Sequence, residues 1–507
     1  MRKWSPLIAV CLGTFMLLVD VTIVNVALPD MAVDLRTSFS ALQWVVDGYA
    51  LALAALLMGA GGLADRIGHR LVYLAGLVVF ALASLACGLA PDPTVLIVSR
   101  VVQGVGGAAM IATTFALLNG SYTGRERGMA YGMWAAVSGA SSAVGPLIGG
   151  PLTEGLSWRW IFFVNLPVSA VAIALGLRVL RDGQARHARR IDVVGVVVFS
   201  AAIGSVTFGM VSAGEHGWGA PSCWPALCAG AALLLTFLVV ETRTAEPLLE
   251  PSLLRNRVFS GVLLAALLLN FAAYVSLTYS SIWMQSVLRL TPVTAGLVAL
   301  PMSGAAFAAS ALLGRVMHRL RPGNMIAGGI LLVGVGDLLG FALVHAWSSW
   351  PALLPGFFVV GLGVGLATPP LSSTGTAAVP AQRAGMAGGA IYTARQAGVA
   401  FGIALLGSVF TAGAHHTLAG RHIESSGSAA HDVAGARSAD LLRSAPAGSR
   451  HLLDEAIHAA AANGIAALLA VAGLVGVAGA LISFLMLRER PTPETAAEAR
   501  PERVLAE

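Results

Sequence analysis

Long apolar runs follow one another along almost the whole of this 507-residue chain. Each run is close to the ~20 residues that an α-helix needs to cross the hydrocarbon core of a bilayer. Only 11% of the residues are charged, whereas an ordinary soluble domain has about 25%. The runs are continuous and do not alternate as the strands of a membrane barrel would. The sequence therefore predicts an integral membrane protein made of helices.

Fourteen membrane-spanning helices are predicted from these runs. Their expected ranges are 6–28, 42–63, 71–90, 95–118, 129–153, 160–180, 192–212, 224–241, 260–284, 294–317, 324–345, 352–373, 385–412 and 463–487. The first run follows Met1-Arg2-Lys3 without a small-residue cleavage pattern, so we interpret it as a first helix and not as a signal peptide.

The arginines are concentrated in the short loops that follow even-numbered helices. They are Arg66, Arg70, Arg125, Arg127, Arg178, Arg181, Arg186, Arg189, Arg190, Arg243, Arg255, Arg257, Arg315, Arg319, Arg321, Arg383, Arg488 and Arg490. Because positive loops stay on the cytoplasmic side, both termini are expected in the cytoplasm. The positive residues behind the net charge of +6 lie in these short loops, so we interpret them as signals for orientation in the cell membrane and not as a nucleic-acid-binding surface.

Two similar turns suggest an internal duplication. One spans residues 61–70, after the second helix, and the other spans 314–323, after the tenth helix, where it lacks the acidic residue. Two six-helix bundles, 1–185 and 251–490, fit this spacing, with two inserted helices in 186–250 and a cytoplasmic tail, 491–507. The long connection 413–461 is expected to be an extracellular, solvated and flexible loop.

That connection holds six of the eleven histidines. They are His415, His416, His422, His431, His451 and His458. Their spacing matches no template for metal ligands, so we expect neither a metal site nor a cofactor here.

The first turn reads Gly61-Gly62-Leu63-Ala64-Asp65-Arg66-Ile67-Gly68-His69-Arg70. Its glycines allow two helices to approach closely and to reverse direction, while the acidic and basic side chains can bind helix ends. The turn resembles the signature loop of the major facilitator superfamily. The resemblance implies a conformational latch formed by Gly61, Asp65, Arg66, Gly68 and Arg70.

Asp20 lies inside the first apolar run, in the segment from Leu18 to Pro29. A carboxylate at membrane depth is costly unless it is protonated or paired, and this is what a proton-carrying group requires. A structural aspartate bonded to a neighbouring helix is the alternative. The segment resembles the first-helix motif of the fourteen-helix drug:proton antiporters in that superfamily, the quaternary-ammonium and EmrB-type exporters.

The fourth run carries Arg100 in a segment, 96–108, that matches the fourth-helix motif of the same family. An arginine cannot deprotonate and needs an anionic or carbonyl partner, so it either tunes a nearby carboxylate or anchors two helices. Asp47 lies in Trp44-Val45-Val46-Asp47-Gly48-Tyr49, which also resembles antibiotic exporters of this branch. We rank Asp47 second to Asp20 as a proton or cation site, and we count Arg100 among the candidate proton-coupling residues.

The fifth run resembles the antiporter motif by which exporters are told from importers. Its residues are Gly139, Gly145, Pro146, Gly149 and Gly150. Glycines permit close helix packing and prolines weaken a helix locally, so a bend or hinge is expected, with packing alone as the alternative. The next segment, 158–167, is also close to one found in the fourteen-helix branch.

Further polar residues within apolar runs are candidates to line a substrate cavity. They are Asn25, Gln103, Asn270, Tyr274 and Arg395. Asp337 has no family motif behind it, and it ranks lower.

The resemblance implies proton-coupled efflux of hydrophobic or cationic small molecules, such as antibiotics or antiseptics, by alternating access. The sequence has no phosphate-binding Gly-x-x-x-x-Gly-Lys-Ser/Thr motif, so an ion gradient is expected to drive transport and no enzymatic activity is expected. The expected partners are a drug-like small molecule, protons and membrane lipid, with no obligate protein partner. A proton-coupled importer of a metabolite and a non-transporting membrane sensor are the alternatives.

The arginine pattern predicts that the 182–191 connection faces the cytoplasm and the 413–461 connection faces outward. We introduce single cysteines at Ser426 and Gln184 in a chain without its native cysteines. In intact cells, only the cysteine at Ser426 should react with a membrane-impermeant thiol reagent. Equal labelling at both positions before permeabilisation would contradict this topology.

Overall fold

The computed structural model describes residues 2–37, 39–181, 192–244, 251–316, 320–380, 383–421, 423, 426–435, 438–446 and 449–488. Regular secondary structure in these residues is helical throughout. The α-helices are α1 (Ser5–Asp34), α2 (Phe39–Ile67), α3 (His69–Gly88), α4 (Pro93–Ser121), α5 (Gly124–Gly155), α6 (Trp160–Phe163), α7 (Asn165–Val179), α8 (Val193–His216), α9 (Cys223–Arg243), α10 (Pro251–Arg255), α11 (Arg257–Ile282), α12 (Pro292–Val316), α13 (Pro322–Leu343), α14 (Leu354–Ala377), α15 (Ala384–Gly420), α16 (Ser426–Ala434), α17 (Ser438–Ser444) and α18 (Arg450–Leu487).

The long helices are apolar enough to cross a membrane. Within the described residues, eleven helical spans meet the requirements of length and hydropathy, or twelve when α2 is included. α2 bends by 50° between Leu57 and Gly59, and α8 contributes a shorter apolar segment, Val194–Met210. The prediction of an all-α membrane protein is thus confirmed at this level.

The helices form two groups with an insert between them. In the first group, α1 packs on α5 and α7, and α4 packs on α2 and α3. In the second group, α13 packs on α14 and α18, and α15 packs on α11 and α18. The groups meet chiefly along two seams, α5 against α12 and α2 against α15, and α4 also contacts α15.

The insert lies along one seam. α8 contacts both α2 and α15, and α9 packs on α8. Ser200 of α8 donates a hydrogen bond to the Ala55 carbonyl of α2 at 2.7 Å, and Trp218 beyond α8 donates to Ser408 of α15 at 2.6 Å. The insert is therefore anchored to both groups.

The long connection after α15 differs from the flexible loop expected from its composition. α15 continues to Gly420, α18 begins at Arg450, and the two short helices α16 and α17 lie between them. Ala429, Ala430 and Val433 of α16 are buried against the core of the second group. Alanine favours helix, and this apolar face gives the segment something to pack against.

Two arginines in the connections predicted to face outward, Arg159 and Arg289, form ion pairs with aspartates. Arg159 Nη1 lies 2.5 Å from Asp34 Oδ2 at the end of α1, and Arg289 Nη2 lies 2.8 Å from Asp454 Oδ1. Trp158 Nε1 also donates to Asp34 Oδ2 at 2.9 Å, and the Arg159 guanidinium stacks on the Trp158 ring at 4.3 Å. The hydrogen bonds from Arg159 and then Trp158 lower the pKa of Asp34.

This contact predicts a pH-dependent stability. The pKa of Asp34 is lower in the folded protein than in the unfolded chain, so its stabilisation is complete above the unfolded pKa and is lost as the pH falls through the folded pKa. Asp34→Asn should therefore lower the melting temperature at neutral pH, and its deficit should shrink in acid. The exposed Asp30→Asn, on the same helix, is the control. A deficit for Asp34→Asn that is constant with pH would contradict this account.

Candidate functional site

The site in the first group is built on one face of α4. Asp92 caps this helix by accepting a hydrogen bond from the Val95 N–H at 2.9 Å, and Pro93 occupies its first turn. Arg100 and Gln103 are three residues apart, so they point to the same side. Both side chains are fully buried.

Asp20 of α1 receives three donors in this interior. Arg100 Nη1 donates to Asp20 Oδ2 at 2.5 Å, and Gln103 Nε2 donates to Asp20 Oδ1 at 3.0 Å. Asn165 Nδ2, at the first residue of α7, donates to the same Oδ1 at 2.9 Å. Asp20 is 0% exposed. An acceptor surrounded only by donors is the arrangement that suits an ionised carboxylate.

Ser84 of α3 completes the network. Its hydroxyl donates to the Phe162 carbonyl at 3.0 Å and accepts a hydrogen bond from Asn165 Nδ2 at 2.9 Å. The sequence analysis did not single out Ser84 or Asn165, although Asn165 lies in the 158–167 segment. We name the five residues Asp20, Ser84, Arg100, Gln103 and Asn165 the Asp20 cage.

Arg100 has further partners that do not depend on Asp20. Its Nε donates to the Val45 carbonyl at 3.0 Å, and its Nη1 also reaches Gln103 Oε1 at 2.8 Å. Its guanidinium lies over the Tyr49 ring, 4.3 Å from the centroid. Arg100 can therefore keep part of its coordination if a proton neutralises Asp20.

The structure does not describe the side chains of three residues singled out in the sequence. These are Asn25, Asp47 and Pro146, and each belongs to a described helix. No contact is assigned to these three side chains.

The glycines of α5 face two different neighbours. A Cβ at Gly145 would lie 1.9 Å from Thr22 Oγ1, two residues after Asp20 on α1. A Cβ at Gly139 would lie 3.5 Å from Ala306 Cβ, and one at Gly150 would lie 2.8 Å from Val293 Cγ2, both on α12. The absence of a side chain at Gly145 thus lets α5 touch the helix that carries Asp20, while α5 also contacts the second group. Gly149 is buried.

The turn between α2 and α3 places charged side chains at the ends of two other helices. Gly68 has φ 109°, a value that favours glycine and lets α3 start directly after α2. Asp65 Oδ2 accepts the Met386 N–H at 3.3 Å, in the first turn of α15, and Asp65 Oδ1 lies 2.9 Å from His69 Nε2. Arg70 Nη2 donates to the Leu177 carbonyl near the C-terminus of α7 at 2.7 Å. Both charges have the sign that the helix dipole favours.

The remaining latch residues do not take part in these bonds. Gly61 is buried in α2, and Arg66 is exposed. A second hydrogen bond between the groups joins the Tyr131 and Thr376 hydroxyls at 3.3 Å. Asp65, near the end of α2, and Thr376, near the end of α14, lie at helix ends that the sequence predicts to be cytoplasmic.

The predicted cavity residues occupy different environments. Asn270 is buried and donates to the Ala266 carbonyl of its own helix at 2.8 Å. Tyr274 and Arg395 lie near Tyr392, and the Arg395 guanidinium is 5.5 Å from the centre of the Tyr392 ring. Asp337 is buried on α13, whose main packing partners, α14 and α18, belong to the same group.

Known proteins resemble this chain over most of its length. The family model described as Major Facilitator Superfamily matches residues 10–403. The puromycin resistance protein of Streptomyces alboniger is 37% identical, and the match covers 81% of this chain and 82% of that protein. The tetracenomycin C resistance and export protein of Streptomyces glaucescens is 32% identical, with coverage of 97% and 93%. The multidrug efflux pump LfrA of Mycolicibacterium smegmatis is 31% identical, with coverage of 96% and 97%.

A solved structure shares the fold. The human organic anion transporter MFSD10 superposes with a TM-score of 0.61 at 15% sequence identity, over 96% of this chain and 99% of that one. The resemblance found in the sequence motifs is thus confirmed. With the family model matching more than three quarters of its length, this chain belongs to the major facilitator superfamily.

Proposed function

We propose that this protein exports hydrophobic or cationic small molecules, such as antibiotics or antiseptics, across the cytoplasmic membrane in exchange for protons. The similar proteins named for puromycin resistance, tetracenomycin C export and multidrug efflux support the efflux part of the proposal. The observation that carries the mechanism is the ion pair between Asp20 and Arg100, which is buried inside one group of helices.

The proposed architecture has fourteen membrane-spanning helices. The halves 1–185 and 251–490 move relative to each other, and the helices in 186–250 sit against both. In this scheme α5 and α8 span the membrane together with the eleven apolar spans and α2, and both termini are cytoplasmic. α8 contacts both α2 and α15. We therefore propose that the insert stays in place while the two halves rock against it.

Proton binding acts through the Asp20 cage. A proton on Asp20 Oδ2 replaces the charge-assisted bond from Arg100, which then relies on the Val45 carbonyl, Gln103 and the Tyr49 ring. Protonated and ionised Asp20 thus favour different positions of α1 against α4. If substrate favours the arrangement with ionised Asp20, proton and substrate bind to opposite states, which is the minimal requirement for antiport.

The bonds from Asp65 to Met386 and from Tyr131 to Thr376 hold the halves together on the proposed cytoplasmic side. This arrangement corresponds to an outward-facing state. The Gly68 turn is then the latch of that state, because Asp65 must leave the first turn of α15 before the inner side opens.

The proposed mechanism makes a prediction for Asp20→Asn, which keeps the shape of the side chain and removes its ability to bind and release a proton. This variant should lose export driven by a proton gradient in membrane vesicles, because no charge change remains to couple. Substrate binding should persist and should no longer depend on pH. The matched control is Asp30→Asn, an exposed aspartate on the same helix, which should export at the parent rate.

Gradient-driven export by Asp20→Asn at the parent rate would contradict the assignment. It would move the coupling site to another carboxylate, with Asp47 the next candidate. Loss of export by Asp30→Asn to the same extent would show that the effect is not specific to the cage.

The second prediction concerns the latch. Asp65→Asn removes a negative charge from the N-terminus of α15. A charge in this position stabilises a helix by about 0.3–1 kcal/mol. The outward-facing population should fall by roughly two- to fivefold relative to the inward-facing one. Spin labels are placed at the exposed Thr123 and Leu320, one in each half on the proposed cytoplasmic side. In Asp65→Asn, a larger share of the distances between the two labels should be long.

His69→Ala is the control for this experiment, because it removes the partner of Asp65 and leaves the carboxylate beside α15. It should change the distances less than Asp65→Asn does. Unchanged distances and parent-rate transport in Asp65→Asn would show that the turn is only a connector.

A further inference from the structure

Arg395 lies at the boundary between the two halves. On α15, a Cβ at Gly388 would meet Phe115 of α4 at 3.4 Å, whereas one at Gly398 would meet the Leu267 carbonyl of α11 at 2.2 Å. The 100° step of an α-helix places Arg395 between these two directions. Its side chain is partly exposed, on the side of α15 that lies between α4 and α11.

Arg395 has no acidic partner among the side chains that the structure describes. Asp20 is bonded to Arg100, and Asp65 is bonded to His69 and the α15 backbone. Asp337 lies on α13, which packs chiefly inside the second half.

The guanidinium has donors to offer. The Arg395 guanidinium lies over the Tyr392 ring, 5.5 Å from the centroid, and it carries five N–H donors. An arginine at membrane depth is costly when these donors are unpaired. The Tyr392 ring adds an aromatic side chain beside the guanidinium.

We propose that Arg395 is the polar anchor of the substrate site, and that its ligands are aromatic molecules with an oxygen acceptor such as a carboxylate, a phenolate or a conjugated carbonyl. This inference rests on the proposed export function and narrows its substrate range. Permanent organic cations are disfavoured, because they would have to bind beside the positive charge of Arg395.

The same position links the substrate site to the Asp20 cage. Tyr49 lies under the Arg100 guanidinium, and Tyr49 and Tyr392 belong to the same buried apolar cluster. A ligand that binds Arg395, which lies over the Tyr392 ring, is therefore next to the residues that contact the Asp20 cage. Coupling then depends on helix positions, and it needs no repulsion between the proton and a cationic substrate.

Two dyes with one xanthene scaffold test the proposal. Fluorescein carries a carboxylate and a phenolate oxygen, whereas rhodamine 6G is a permanent cation. Binding is measured by fluorescence anisotropy on the purified full-length protein at fixed pH. The parent should bind fluorescein more tightly, and Arg395→Gln should weaken fluorescein binding by about tenfold or more, as expected for loss of a charge-assisted hydrogen bond.

Two further variants separate the anchor from a general charge effect. Arg395→Lys should retain part of the fluorescein affinity, because it keeps the charge and loses the planar fork. Arg289→Gln removes an exposed arginine from the same half and should leave both affinities unchanged. Rhodamine 6G binding should be unchanged or tighter in Arg395→Gln, which also reports that the variant is folded.

Fluorescein binding by Arg395→Gln at the parent affinity would overturn the proposal, as would equal losses for both dyes. A parent that exports rhodamine 6G from proteoliposomes but does not bind fluorescein would refute the anchor and leave the export function standing. Arg395-dependent binding of fluorescein without gradient-driven transport of either dye would refute the export function and leave the anchor standing.

Discussion

The account depends on one buried ion pair, Asp20 with Arg100, which lies within a single half of the molecule. Burying two charges is costly, and removing one partner of such a pair typically costs about 3–5 kcal/mol. Gln103, Asn165 and Ser84 offset this cost by satisfying the remaining polar atoms around the carboxylate. In the proposed mechanism, a proton on Asp20 changes this balance without adding bulk and alters the packing of four helices.

Close helix packing connects that change to the other half of the protein. Gly145 brings α5 against α1 beside Asp20, and the same helix contacts α12 through Gly139 and Gly150. Asp65 holds the first turn of α15 on the opposite seam. Packed interfaces of this kind have discrete arrangements and do not deform continuously, so a local change in charge can shift the equilibrium between two orientations of the halves.

Much of this could be predicted from the sequence, because apolar run length fixes the helices and short motifs mark Asp20, Arg100 and the Gly68 turn. The bonds from Asn165 to Asp20 and to Ser84 could not be predicted, because 145 and 81 positions separate the partners and no local pattern records the contacts. The helices α16 and α17 were missed for a different reason. The composition of this segment predicts a flexible connection, because the apolar core on which α16 packs cannot be recognised from the local sequence.

Proton release by the purified protein tests the central claim most directly. A compound that the parent exports is added in weak buffer, and a soluble pH indicator records the released protons. The account predicts release from the parent at a pH where Asp20 carries a proton before substrate binds, and no release from Asp20→Asn. Undiminished release from Asp20→Asn, with substrate binding intact, would contradict the assignment of Asp20 as the group where proton and substrate are exchanged.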